Sequence, residues 1–455
     1  MRIPFLFLSA LATLSLVSCG NSGPKGAAIR DGDVVFTKTP YVDLSALPER
    51  LNLEVEVTGK ITRLQVGTQV LLNENSGKYS YAKGILTIDT SAFKDKDGEL
   101  LIGPGDQPIR IYADTTVTTS CLFVSKVIKT AEDLVAINQG GSAALQGAYI
   151  LGNDIDCSSI ANFEPLGYSD TDDGTHYNEQ FNGIFDGNGY SIKNVTTKYS
   201  NNPASYKEIF DGNYQFEDEA HKTGNKFGFF QEIGGAGVVR NVAFDNVSIT
   251  GRTIVGIVAG LNSGRIENVL VKENCRALMS THFYDETCAL GGIAGVISSS
   301  DTAIVEHCLS LATDLNIVET YVDYDEEAYY EEDHGITHTF YNGELGWDDS
   351  NGKRANNIYS GVGLTYGVAS ENLGKLFNVT PTGLPADFSQ THIEANKEKD
   401  GPDCGMLTDC DMLSVTELKT AAPYEAHNFD TSVWNLKEGV LPSFKAVYPS
   451  RIYKA

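Results

Sequence analysis

Between Asp31 and Val127 apolar and polar residues alternate in short runs. Val34-Val35-Phe36, Leu51 to Val57, Gln69 to Leu72, Gly84 to Ile88, Ile109 to Tyr112 and Cys121 to Val124 each read as a strand with one buried and one wet face, because neighbouring side chains on a strand point to opposite sides. Clusters of Gly, Pro, Asn and Asp separate them, as turns require. The pattern predicts an antiparallel, Ig-like sandwich over residues 30–127. Thr130 to Ile137 then changes to helical spacing, and Thr130 three residues before Asp133 makes a variant capping box. A short helix is expected there, placed to act as a lid.

Beyond the helix the chain repeats itself. Tyr149 to Ile155 reads as a strand, and Phe181 to Val195 as two short strands around a Gly-rich turn. The pattern recurs at Val238 to Phe244, at Val255 to Gly260 with Gly264 to Val269, and at Gly291 to Gly295 with Ala303 to Cys308. Asn194, Asn241 and Asn268 read as one phase of the repeat, with His307 in that place in the last copy. Gly256 and Gly260, then Gly291 and Gly295, bound two Gly-x-x-x-Gly-like turns whose glycines are expected at corners with positive φ. Self-similarity of this kind marks a solenoid. One rung cannot bury its own apolar face, so stacking must create the core, and asparagines in register can pair amides from rung to rung. A parallel β-helix is therefore expected over 128–315. Residues 196–226 interrupt the repeat. Residues 316–412 read as an irregular insertion with at most weak further rungs, such as Gly361-Val-Gly363, and 413–455 as a C-terminal cap in which Trp434 packs. Insertions on a solenoid gather on one face, often the binding face.

The N-terminus carries a different pattern. Arg2, an apolar run from Phe5 to Val17 and the sequence Leu16-Val17-Ser18-Cys19-Gly20 follow one another. The run is shorter than the roughly 20 residues that cross a bilayer. It resembles a bacterial lipoprotein leader with its lipobox, which implies cleavage after residue 18, acylation of Cys19 with palmitate-like chains, and a Gly/Ser/Asn tether over 19–29. From Ile128 to about Leu311, and again at Phe429 to Pro442, the chain resembles the GLUG-repeat surface proteins, through the helix-then-strand start, Phe181-x-Gly-x-Phe-Asp-Gly-Asn-Gly, the glycine turns and the closing Trp434-x-x-x-x-Gly-x-x-Pro. Many of those proteins are lipoproteins with a right-handed, pectin-lyase-like β-helix. The resemblance implies an all-β chain, an Ig-like β-sandwich followed by a right-handed parallel β-helix with irregular insertions. It also implies a lipid-anchored protein of the cell envelope, at the outer membrane or cell surface, acting in adhesion or in binding a glycan or a host or surface protein.

Composition narrows the partners. The 455 residues are 41% hydrophobic, enough for sizeable cores, and carry a formal charge of −26. Such a surface repels phosphate backbones, so nucleic acid is not expected as a partner. Besides Cys19 the cysteines are Cys121, Cys157, Cys275, Cys288, Cys308, Cys404 and Cys410, an odd set without a C-x-x-C pair. Cys404 and Cys410 have loop-closing spacing but no helpful histidines, so buried thiols or a local disulfide are favoured over zinc.

Asp323 to His334 concentrates carboxylates and tyrosines. Asp323, Asp325, Glu326 and Glu327 are weak Ca²⁺ candidates there and Tyr329 and Tyr330 could stack on sugars, though charge runs are usually solvated loops. Asp170 to Gly174 and Asp95 to Gly98 resemble fragments of calcium loops but read better as turns. No cofactor is firmly implied. A polysaccharide lyase or glycoside hydrolase on the same β-helix is the alternative reading and needs converging carboxylates. Asp186, Asp245, Arg240, Arg252 and Arg265 instead follow the repeat, and no nucleophile elbow or H-E-x-x-H occurs. A non-enzymatic protein is the preferred expectation, with a structural surface scaffold as a further alternative.

Overall fold

A computed structural model describes residues 35–36, 40–114, 116–167, 180–198, 226–251, 254–282, 287–298, 300, 302–312, 314–320, 339–343, 347–348, 354–355, 357–360, 410–413, 416–426, 428–431 and 433–445. The chain is mostly strand with few helices, all-β in class. Among the described residues no helix is long and apolar enough to cross a membrane. Two compact units are present, one of Met1–Pro40, Glu49–Phe123 and Ser450–Ala455, the other of Tyr41–Pro48 and Val124–Pro449.

In the first unit the strands run antiparallel in two groups. Arg50–Glu56 pairs with Val35–Phe36 and with Ile85–Asp89, which also takes Tyr79–Ala82. Ile61–Val66 pairs with Val70–Asn73 and with Gly105–Ala113, with a register shift between Ile61 and Arg63. Each alternating run in the sequence coincides with a strand here, and Ile61–Val66 and Tyr79–Ala82 are strands the pattern did not show. The alternation buries Leu51, Leu53 and Val55 on one face of their strand and Leu86 and Ile88 on the next.

In the second unit the helix Ala131–Gln139 precedes the repeating strands. Thr130 accepts from the Asp133 amide while the Asp133 carboxylate takes the Thr130 amide, a complete capping box. Ala131, Leu134 and Ile137 face the core, covering its first layer as a lid.

Four sheets of parallel strands then alternate along the chain. The first holds Ala148–Leu151, Ile184–Asp186, Val238–Asp245, Arg265–Val271, Ile304–Glu306 with Leu309–Ser310, Asn357–Ser360 and Cys410–Leu413. The second holds Thr196–Lys198, Ser248–Gly251, Arg276–His282 and Asp314–Thr320. Lys226–Phe227, Ile254–Gly256, Thr287–Gly291 and Thr339–Gly343 make the third. Phe230–Ile233, Ala259–Asn262, Ala294–Ile297 and Trp347–Asp348 make the fourth. The chain visits these sheets in the same order, coil after coil.

Three expectations change here. Both ends of the expected interruption, Thr196–Lys198 and Lys226, belong to strands in register with the next coil. Strands Asp314–Thr320, Thr339–Gly343 and Trp347–Asp348, nearly all within the expected irregular insertion of 316–412, add a further set of parallel pairings. Backbone pairing needs no Gly or Asn at fixed places, so a coil can form where those markers are missing. The glycines also act differently from expected. Gly256, Gly260, Gly291 and Gly295 lie in strands and none has a positive φ. They allow close approach instead: a Cβ on Gly256 would sit 2.1 Å from the Ala259 carbonyl oxygen and 2.6 Å from the Gly295 nitrogen, and one on Gly260 2.7 Å from the Phe227 nitrogen.

The core lies inside the coils. Phe185, Val239, Ile266 and Val305 form one inward ladder at a common register. Near the first coils aromatic rings fill the interior, with Phe163 and Phe229 stacked at 4.9 Å and Phe230 edge-on to Phe185 at 5.6 Å. Cys308 stands where Val242 and Val269 stand in the preceding coils, so the thiol fills a valine position.

Candidate functional site

Asn241, Asn268 and His307 share one register position and one backbone conformation, with φ of 56°, 51° and 53°. Asparagine tolerates this left-handed region because its short side chain can bond locally. Here it bonds between coils. Asn268 Nδ2 donates to Asn241 Oδ1 at 3.4 Å, and Asn241 Nδ2 donates to both Asp186 oxygens at 3.2 Å.

Asn194 does not join them. It aligns one corner later with Asn246 (φ 54°), whose Nδ2 donates to Asn194 Oδ1 at 2.7 Å. The phase slips because four residues, Gly187 to Tyr190, occupy the corner that Asn241 and Val242 fill in the next coil.

Charges follow the same ladders. Asp186, fully buried, accepts from Arg240 Nε at 2.8 Å. Arg265 Nε donates to Glu267 at 2.7 Å, and the same guanidinium pairs with Glu306. At the outer corner Asp156, Lys193, Asp245 and Lys272 alternate in sign from coil to coil. Lys193 reaches Asp154 at 2.6 Å and Lys272 reaches Asp245 at 2.7 Å, with Asn274 Nδ2 also on Asp245 at 2.8 Å.

Burial pushes the Asp154 and Asp245 carboxyls up, yet hydrogen bonds and lysine charges outweigh it and hold both below the usual carboxylate range. The Asn194 amide, with the Ser158 backbone, does the same for Asp156. Such groups suit ion pairing across coils and not proton transfer near neutral pH. The carboxylates that the polysaccharide-cleaving alternative would recruit, Asp186 and Asp245, are thus already engaged by the neighbouring coil.

Further contacts escaped the sequence reading. Glu232, nearly buried, accepts from Lys226 Nζ and Gln180 Nε2, each at 2.5 Å. The ladders leave one trace in the sequence, Lys193-Asn194, Asp245-Asn246 and Lys272-Glu-Asn274 closing successive strands.

Asp95 is a turn: its Oδ1 accepts from the amides of Asp97 at 2.8 Å and Glu99 at 2.9 Å, and Gly98 has φ 88°. Cys157, Cys275 and Cys308 are buried, and desolvation pushes the first two thiols up to about 12, so those two are poor nucleophiles and metal ligands. Among the described residues no cluster of His, Cys, Asp or Glu could hold a metal. Cys19, Asp323, Asp325, Glu326, Glu327, Asp170 to Gly174, Arg252 and Cys404 lie outside the described residues.

Trp434 is packed, as expected of the closing segment. It lies 1% exposed, not over the end of the stack but against the outward side of the first sheet, clustered with Ala243, Leu270 and Leu309 from successive coils. Those side chains point outward because their neighbours, Val242 and Phe244 for example, point into the core.

One corner carries the longest connections. Between the second and third sheets the chain leaves after Lys198, Gly251, His282 and Thr320 and returns at Lys226, Ile254, Thr287 and Thr339. Those connections include the long segments 199–225 and 321–338, which lie outside the described residues, whereas 252–253 and 283–286 are short, as are the connections between the third and fourth sheets. The second-sheet strand also lengthens, from Ser248–Gly251 to Arg276–His282 and Asp314–Thr320, so the later coils reach further toward that corner.

No family model matches the chain. A 150-residue stretch is 31% identical to halomucin from Haloquadratum walsbyi (strain DSM 16790 / HBSQ001), a match that takes in 31% of this chain. The match spans 1% of halomucin's length. A solved IgA1 protease structure aligns over 75% of this chain and 34% of its own at 14% identity, with a TM-score of 0.22, too low to assign a fold.

Proposed function

We propose that this is a lipid-anchored surface protein that binds a glycan or a protein ligand without cleaving it. In this reading the coils form a right-handed parallel β-helix of the GLUG-repeat kind, and the antiparallel unit is an Ig-like spacer between the lipid on Cys19 and the coils. The carrying observation is the corner between the second and third sheets, where the chain inserts residues 199–225 in one coil and 321–338 in a later one, while the two coils between them connect through 252–253 and 283–286. Long connections carried at the same corner of a repeating scaffold are free to serve as a binding face, a division of labour that loops and scaffolds show generally.

Two further observations support it. The carboxylates and lysines along the first sheet are paired with one another, which leaves them to fasten coils together. The sequence likeness to a stretch of halomucin suits a secreted or surface location.

The test is to incubate the soluble chain starting at Gly20, with and without Ca²⁺, with acidic and neutral polysaccharides, recording retention and chain cleavage together. Retention without cleavage, lost when residues 321–338 are replaced by a short Gly/Ser linker, is the expected result. New reducing or unsaturated ends would sink the reading in favour of a lyase or hydrolase.

A further inference from the structure

The outward side of a coil stack meets water, so an apolar stripe across it requires cover. Ala243, Leu270 and Leu309 form such a stripe at one register of three successive coils. The chain's own residues 416–445 cover it, burying Leu418, Tyr424, Phe429, Val433 and Trp434 against the stripe.

The cover is a built element. Tyr424 Oη donates to the Leu418 carbonyl at 2.7 Å, Trp434–Asn435 pairs with Ser443–Phe444, and the Phe429 and Trp434 rings meet at 5.0 Å. It also plugs into the amide ladder. Trp434 Nε1 donates to Asn268 Oδ1 at 3.3 Å, Asn268 donates to Asn241, and Asn241 donates to the buried Asp186 carboxylate. Every donor in this series points toward Asp186, so the carboxylate fixes both amides and leaves Asn268 Oδ1 facing the indole. The Phe429 ring meets His307 edge-on at 6.0 Å, in the following coil.

The chain enters this element from Cys410–Leu413, which lies at the far edge of the first sheet beyond Asn357–Ser360. It therefore runs back from the end of the stack over earlier coils.

We infer that residues 416–445 are a strap that makes the coils open as one unit. Repeats that touch only their nearest neighbours open coil by coil from a free end. A strap bound to three coils at once adds coupling between coils that do not touch. The coil carrying Leu309 cannot leave the stack without peeling the strap from Leu270 and Ala243 as well. The inference stands on packing alone and is independent of the proposed ligand face.

Hydrogen–deuterium exchange on the full chain tests it, comparing amides of residues 304–311 with those of Val238–Asp245. In the unaltered chain both groups should exchange at similar rates. In W434A, and in Leu270→Ala should the first variant not fold, residues 304–311 should exchange at least about tenfold faster than Val238–Asp245. W434F, which removes the indole donor and keeps a ring, should leave the two groups together. Equal acceleration of both groups in the strap variants, no acceleration, or a tenfold difference already present in the unaltered chain would each overturn the inference.

Discussion

Asn241 serves two needs at once, a left-handed backbone and a hydrogen bond to a buried carboxylate. Asn241→Ala loses both, and the expected cost is about 2–4 kcal/mol from αL strain and a lost charge-assisted bond. Asn241→Gly regains the backbone part, so its urea midpoint should lie between those of the alanine variant and the unaltered chain. An alanine variant as stable as the glycine one would show that φ carries no cost there. Cys308 has the opposite character, since nothing about its position uses the thiol as a reactive group. Cys308→Val restores the residue that Val242 and Val269 represent in the preceding coils and should change stability by less than about 1.5 kcal/mol. The same burial protects the other thiols: alkylation at pH 8 followed by peptide mapping should leave Cys157 and Cys275 unlabelled until denaturant is added.

Strands and helix ends are held by different means, and each gives its own measurement. Thr130→Ala removes the side-chain half of the capping box and should cost about 1 kcal/mol in a denaturant titration. Across the coils, Asp154, Asp156 and Asp245 have folded-state pKa values below the ordinary 3.8. Their ionised forms favour the fold, so this contribution is complete above that value and is lost as pH falls through the folded pKa. The urea midpoint should drop on acidification below about pH 4, and Asp245→Asn should flatten that drop while leaving the pH 6 to 8 region unchanged in slope. A steeper acid dependence in the variant would mean the carboxylate is not paired in the fold. Some of this was readable beforehand. The Thr130-to-Asp133 spacing is a local rule and gave the helix start; strand alternation in the first unit is equally local. The Asn and Gly periodicity pointed to coils, but it misplaced Asn194, because a corner can lengthen from two residues to four without any change in strand register. The coil over 314–360 and the strap were hidden for the same reason: backbone pairing and long-range burial leave no fixed residue at a fixed interval. Glu232 with Lys226 and Gln180, and Asp186 with Arg240, join residues far apart in sequence, and only the coil length brings them together.

At the scale of the whole molecule, anchoring and binding should be separable. The proposed reading assigns attachment to lipid on Cys19 and ligand contact to the corner between the second and third sheets, and it gives the coils between them a fastening role. A face built of connections on a stack tolerates change in those connections, because the stack's stability comes from inward ladders such as Phe185, Val239, Ile266 and Val305. Cys19→Ser should therefore move the protein from the detergent phase to the aqueous phase in a phase-separation assay while keeping polysaccharide retention. Replacing residues 321–338 by a short linker should do the reverse, keeping the anchor, the circular dichroism spectrum and the unfolding midpoint while losing retention. Loss of both properties in one variant would argue that anchor and face are not independent. Retention that survives the linker but disappears when 199–225 is replaced would keep the corner as the binding face and move the contact to an earlier coil. Retention that survives both replacements would shift the search to the antiparallel unit, where the guanidinium of Arg63 lies 3.6 Å over the Tyr112 ring.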